Sequence, residues 1–105
     1  MPKKPGPVEI AWSPLALARL QEIRAFVALD KPDAAERLAT RIVSVVEALR
    51  IHPYLGRVGP EPGIRELIIV PSRERRLTQG GGTPYSVLYR LRASRLIISH
   101  AGQSG

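Results

Sequence analysis

Two consecutive runs of helical periodicity constrain the fold of this chain more than any other sequence feature. The first begins at Ser13 and Pro14, where the serine hydroxyl can cap a free backbone N–H and the proline loses no donor. The second begins at Pro32, a few residues after the first ends near Leu29. Apolar residues recur at three- and four-residue steps, at Ala16, Leu20, Ile23 and Val27 and then at Ala35, Leu38, Ile42, Val45 and Leu49. Pro53 stops the second run, so the sequence predicts a hairpin of two amphipathic helices.

Four short segments with strand character surround the helix pair, one before it and three after it. They are residues 8–12, 64–70, 85–91 and 95–101. Residues 56–63 contain three glycines and two prolines and are expected to form a loop. The last three strands follow one another, so they should pair as antiparallel neighbours. The sequence therefore predicts an α+β fold in the order β-α-α-β-β-β, with the helix hairpin packed on a small, mainly antiparallel sheet.

A chain of 105 residues is long enough for one domain. We expect that domain to span residues 8–105, after a flexible N-terminal lead at residues 1–7. Residues 71–84 are expected to form a long polar loop, to which the sequence assigns no role. Residues 102–105 are expected to be a frayed tail.

The charge balance points to anionic partners. Lysine and arginine total 16 against 9 aspartates and glutamates, for a net charge of +7. Such a charge favours association with acidic proteins, with direct nucleic-acid contact as a secondary expectation. The absence of cysteine excludes disulfides, thiolate catalysis and cysteine-based zinc sites, and it fits a cytoplasmic location. No apolar run approaches the roughly 18 residues that cross a bilayer, so no membrane partner is expected.

Arginines, tyrosines and a histidine carry the chemistry that the predicted strands offer. His52 and His100 have no second ligand at useful spacing, so the sequence predicts neither a metal site nor a cofactor. The candidate binding residues are Arg57, Arg65, Tyr85, Tyr89, Arg90, Arg92 and His100. Core packing is the stronger interpretation for Tyr85 and Tyr89, and a structural hydrogen bond is the stronger one for His100. Arg65 is interpreted equally well as a partner anchor or as half of an ion pair.

Six short blocks together resemble the ParE-type toxins of the ParE/RelE superfamily. They are residues 12–14, 34–35, 56–57, 63–67, 85–90 and 99–100. The resemblance implies a RelE/ParE-like fold and a type II toxin–antitoxin module, in which a cognate ParD-like antitoxin neutralises the toxin. Such an antitoxin is a small acidic DNA-binding protein. ParE-type toxins generally poison DNA gyrase, whereas RelE-type toxins cut messenger RNA in the ribosome.

The same resemblance separates these two branches. Ser86 stands where RelE-like nucleases carry an arginine, and residues 102–105 lack the basic residues and tyrosine that those nucleases have beyond the last strand. We therefore expect gyrase inhibition by binding, with no catalytic residue. The alternatives are a ribosome-dependent endoribonuclease that uses Arg65, Arg90 and His100, and a non-toxic, degenerate family member held by its antitoxin. In the nuclease case, arginines would stabilise the charge on a pentacoordinate phosphate and the histidine would move the proton.

Overall fold

Two helices lie against a five-stranded mixed sheet in the computed structural model of the chain, which describes residues 7–70 and 84–103. The strands are β1 (Glu9–Trp12), β2 (Arg57–Val58), β3 (Arg65–Ile69), β4 (Tyr85–Arg92) and β5 (Arg95–Gln103). The helices are α1 (Pro14–Ala28) and α2 (Pro32–Glu47), and a 3₁₀ turn follows at Ala48–Arg50. Three predicted segments lie wholly or mostly outside the described residues: the first six residues of the lead at 1–7, most of the loop at 71–84 and the last two residues of the tail at 102–105.

The sheet order is β1-β5-β4-β3-β2. The pairs from β5 to β2 are antiparallel, and only β1 runs parallel to its neighbour β5. The first strand therefore lies beside the last one in the chain, and the helix hairpin forms the crossover between β1 and the strands that follow. The α+β fold predicted from the sequence is confirmed.

The start of α1 is fixed to the sheet by one serine. The Ser13 hydroxyl accepts a hydrogen bond from the Ala16 N–H at 3.0 Å, as the cap prediction requires. The same hydroxyl donates to the Ser99 carbonyl at 3.3 Å, and the Ser13 N–H donates to the Ile98 carbonyl at 2.9 Å. The helix cap is thus also a contact with β5.

The core lies between the helices and one face of the sheet. The helices contribute Ala16, Leu20, Ile42, Val46 and Leu49, and the sheet contributes Leu67, Ile69, Val87, Tyr89, Leu96, Ile98 and Ala101. Side chains alternate between the two faces of a strand, so every second residue of β3 and β4, and of β5 as far as Ile98, points to this layer. The other residues point to the outer face, away from the helices.

Three details of the predicted elements are wrong. Residues 56–63 contain the short strand β2, which pairs with Arg65 and Glu66 and makes the sheet one strand wider than predicted. Gly102 and Gln103 belong to β5 and not to a frayed tail, because both pair with β4. The helix α1 is not amphipathic: its surface away from the core carries exposed Leu15, Leu17 and Phe26 as well as charged residues, and Leu29 just after its end is exposed too.

Neither helix among the described residues is both long and apolar enough to span a bilayer.

Candidate functional site

Strand alternation divides the predicted binding residues between the two faces of the sheet. Arg65 shares its face with buried Leu67 and Ile69, so it points to the helix side, as do Tyr85 and Tyr89. Arg57, Arg90, Arg92 and His100 point to the outer face. The predicted residues therefore form two groups and not one site.

A β-bulge places His100 in the outer group. Tyr89 pairs with Ile98 and Leu88 pairs with His100, so Ser99 is an extra residue in β5. The extra residue reverses which side chains of β5 face the helices from His100 onward. Ala101 is consequently buried in the core, and the His100 ring lies on the outer face near Gly102. No hydrogen bond joins the His100 ring to another described residue, so the predicted structural bond stays without support from this part of the chain.

Tyr89, on the helix side of β4, holds the turn at residues 53–56 through two hydrogen bonds. Its hydroxyl donates to the Pro53 carbonyl at 2.7 Å and accepts from the Gly56 N–H at 2.9 Å. The Tyr89 side chain has 0% of its surface exposed. A side chain without exposed surface contacts no partner unless the fold opens, so Tyr89 positions the turn.

Arg65 holds the same turn from the neighbouring strand. Its Nε donates to the Gly56 carbonyl at 2.9 Å and its Nη2 to the Tyr54 carbonyl at 3.4 Å. The guanidinium carbon lies 5.2 Å from the centroid of the Tyr54 ring, which is a cation–π geometry. Among the described residues Arg65 forms no ion pair, so its charge is not neutralised there by a carboxylate.

Glycine is required where the two side chains meet. A Cβ at Gly56 would lie 2.8 Å from the Tyr89 hydroxyl and 2.9 Å from the Glu66 carbonyl oxygen. Both distances are shorter than ordinary van der Waals contact, and the Glu66 atom belongs to the backbone. The close approach of the turn to β3 and β4 therefore depends on the missing side chain.

Exposed apolar side chains surround this fixed turn. We call them the apolar tip: Ile51, Tyr54, Leu55 and Val58. Tyr54 is 67% exposed and Val58, the register partner of Arg65, is 76% exposed. A cluster of this kind on a rigid turn, with the Arg65 guanidinium stacked on one member, has the composition of a protein-binding surface.

Arg57 is paired within the outer face. Its Nη2 lies 2.8 Å from Glu66 Oε1 and its Nε lies 3.0 Å from the same oxygen. The Arg57 side chain is mostly exposed, whereas that of Glu66 is only 19% exposed. This pair links β2 to β3 and leaves the Arg57 charge largely compensated.

The carboxylate of Glu47 raises the pKa of Arg50, chiefly through a side-chain hydrogen bond of 2.6 Å to its Nε. Arg50 also donates to the Val8 carbonyl at 3.4 Å, so the end of the 3₁₀ turn is tied to the start of β1. The Arg50 guanidinium therefore stays charged, and its contacts stabilise the fold.

Two residues of interest were missed by sequence reasoning. The sequence does not single out Tyr54, because its contacts with Arg65 join positions eleven residues apart. The sequence predicts Arg95 only as the first residue of a strand, and its position directly opposite Arg92 follows from the register of the tight turn between them. Within residues 7–70 and 84–103, no three histidine, aspartate or glutamate side chains come together as metal ligands would.

Comparison with known proteins shows which family this chain resembles. Residues 10–101 match the model of the ParE toxin of type II toxin–antitoxin systems, parDE. The candidate toxin Y4kP of Sinorhizobium fredii is 36% identical over 96 residues, which cover 90% of this chain and 88% of that protein. Toxin RelE2 of Caulobacter vibrioides is 35% identical over 63 residues, which cover 60% of this chain and 70% of that protein.

A solved structure shares the fold. A chain from the chromosomal ParDE TA system of P. aeruginosa superposes with a TM-score of 0.72, covering 93% of this chain and 97% of that chain. The sequence identity to it is 21%.

Proposed function

We infer the function from the premise that this chain belongs to the ParE toxin family of type II toxin–antitoxin systems. We propose that it inhibits DNA gyrase by binding to it, without bond-making chemistry of its own, and that a cognate antitoxin neutralises it. We propose further that both partners meet it in the cytoplasm.

The fixed turn at residues 53–56 is the observation that carries this proposal. Tyr89 and Arg65 hold four backbone polar groups of the turn, so the apolar tip is ordered before any partner arrives. Binding then costs little ordering of the loop, and preorganised aromatic anchors of this kind dominate protein interfaces. We assign the apolar tip, with Arg65 at its rim, to the contact with gyrase.

The division of the predicted residues between the two faces of the sheet also supports inhibition by binding over cleavage of RNA. Acid–base catalysis on one phosphate needs its groups within hydrogen-bonding reach of the same substrate. Arg65 lies on the helix side of the sheet, where it is engaged by two carbonyls, whereas Arg90 and His100 lie on the outer face. These three residues do not converge on one point, which favours the binding hypothesis.

The antitoxin is proposed to be a small acidic, ParD-like DNA-binding protein. The net charge of +7 suits an acidic partner. The exposed apolar surface of α1, which includes Leu15 and Phe26, offers area that an ordered antitoxin segment would cover.

Ribosome-dependent cleavage of messenger RNA is the second candidate function. The likeness to a protein named Toxin RelE2 favours it, as does the placement of Arg90 and His100 on the same outer face. Under this hypothesis those two residues contact the RNA and Arg65 keeps its place beneath the turn.

Expression of the chain in bacterial cells, with and without its antitoxin, separates these functions. Gyrase inhibition predicts DNA breaks, an induced damage response and filamentous cells. Ribonuclease action predicts an immediate arrest of translation and cut messages. Normal growth under verified expression would contradict both and favour a non-toxic family member.

A further inference from the structure

Three arginines lie on the outer face of one hairpin, on the opposite side of the sheet from Arg65 and Tyr89, which hold the turn of the apolar tip. Arg90 and Arg92 are two residues apart on β4, and Arg95 opens β5 as the direct register partner of Arg92. Alternation places all three on the same face. Arg92 and Arg95 are exposed, and Arg90 is half-buried. We call this set the arginine hairpin.

The arrangement carries an electrostatic cost within the described residues. Like charges that face each other directly across two strands destabilise a sheet. None of the three arginines forms an ion pair with a carboxylate of residues 7–70 or 84–103. Glu9 is the register partner of Arg95 on the β1 side, and Glu66, the other carboxylate near this part of the outer face, is paired with Arg57. An external anion would remove this repulsion.

The turn between the strands keeps the opposed pair together. Ala93 adopts a φ of 53°, a left-handed conformation that is uncommon for a residue with a side chain. The Ser94 carbonyl accepts a hydrogen bond from the Glu9 N–H at 2.9 Å, which ties the turn to β1. The spacing of Arg92 and Arg95 is therefore set by the backbone and not by flexible chain.

The surroundings of the hairpin identify the class of partner. Within the described part of the chain, the exposed large apolar side chains belong to the helices, to residues 51–58 and to positions 29 and 70, and none lies on β4 or β5. A protein interface needs an apolar core, which this surface lacks. A phosphodiester backbone needs only cations with several donors each, which arginine supplies.

We propose that the arginine hairpin binds the phosphate backbone of nucleic acid. This activity does not depend on gyrase, because the hairpin and the apolar tip are separate surfaces. If the chain also binds gyrase through the tip, the hairpin is free to contact the duplex that gyrase holds.

The proposal is tested by fluorescence anisotropy of the purified chain, free of antitoxin, with a short labelled DNA duplex and with an RNA strand of equal length. We expect each of Arg92→Gln and Arg95→Gln to weaken binding several-fold. Each should also lower the slope of log K against log salt by about 0.9 for the duplex, the value for one lost phosphate contact. Binding of either polymer in this pattern supports the proposal, and the tighter one identifies the source of the phosphates.

Two variants keep the test independent of net charge and of folding. Arg37→Gln removes one positive charge from the exposed surface of α2, so it is the matched control and should leave the slope unchanged. Glu9→Gln removes the carboxylate beside Arg95 and should tighten binding. Equal losses in Arg37→Gln and Arg92→Gln would overturn the proposal. So would an unchanged slope in both hairpin variants with unaltered circular dichroism, or stronger competition by polyglutamate than by DNA.

Discussion

Arg65 and Tyr89 are direct register partners across β3 and β4, and both bind the backbone of Gly56. Tyr89 accepts the Gly56 N–H and Arg65 donates to the Gly56 carbonyl, so two neighbouring strands satisfy both polar groups of one residue. The turn at residues 53–56 is consequently part of the sheet's side-chain network although it belongs to no strand. The order of the apolar tip follows from this relationship.

Removing the buried hydroxyl should loosen the turn. Tyr89→Phe leaves the Gly56 N–H and the Pro53 carbonyl without their partner, and an unsatisfied buried polar group costs about 1–3 kcal/mol. We expect a fall of that size in the free energy of unfolding, measured by urea denaturation. Tyr54→Phe is the control, because the Tyr54 ring is largely exposed. Equal stability of Tyr89→Phe and the parent chain would contradict the structural role of the hydroxyl.

A methyl group at position 56 should separate the turn from the sheet. Gly56→Ala places a Cβ 2.8 Å from Tyr89 and 2.9 Å from a backbone oxygen of β3, so the chain has to shift. Overpacking of this kind costs roughly 1–3 kcal/mol. Gly102→Ala is the matched control, because its Cβ would meet only the His100 ring at 3.6 Å. Thermal unfolding should separate the two variants, and a melting temperature of Gly56→Ala no lower than that of Gly102→Ala would count against the close approach.

The planar arrangement of N–H donors in the Arg65 guanidinium should order the turn at residues 53–56 more than its charge does. Arg65→Lys keeps the charge but loses the two-carbonyl contact and the stacking on Tyr54. We expect faster hydrogen exchange at the amides of residues 54–56. Arg57→Lys changes an exposed ion pair worth about 1 kcal/mol or less, and exchange there should stay close to that of the parent chain. Unchanged exchange in Arg65→Lys would show that other contacts order the turn.

The elements of the fold could be predicted where the signal was local. The serine cap and the two prolines gave the starts of α1 and α2 to the residue, because caps act on the adjacent turn. The strand β2 could not be predicted, since its two residues lie among glycines and prolines and pair only because β3 offers an edge. The tail was wrong for a similar reason: Gly102 and Gln103 are ordered by β4 and not by their own propensity.

The candidate site was predicted as a set of residue types but not as an arrangement. Nothing in the sequence showed that Ser99 is a bulge, and the bulge decides that His100 points away from the helices. The separation of Arg65 from Arg90 likewise depends on the register between β3 and β4, which no sequence pattern defines. The Tyr89 hydroxyl binds Gly56, which is 33 positions away in the sequence. A contact over that distance cannot be predicted from a local sequence pattern.

The apolar tip should affect binding more than stability. Tyr54→Ala and Leu55→Ala truncate exposed side chains, so we expect each to change the free energy of unfolding by about 0.5 kcal/mol or less. Truncation of an interface anchor typically costs more than about 1 kcal/mol of binding. Leu15→Ala, an exposed apolar residue on α1, is the control for a loss of apolar surface elsewhere.

A DNA supercoiling assay with purified gyrase tests the central claim most directly. The parent chain should inhibit supercoiling, Tyr54→Ala should need roughly tenfold more protein for equal inhibition, as expected for an anchor worth about 1.4 kcal/mol, and Leu15→Ala should match the parent. Full gyrase activity at saturating parent chain, in a preparation that cuts messenger RNA on ribosomes, would contradict the account.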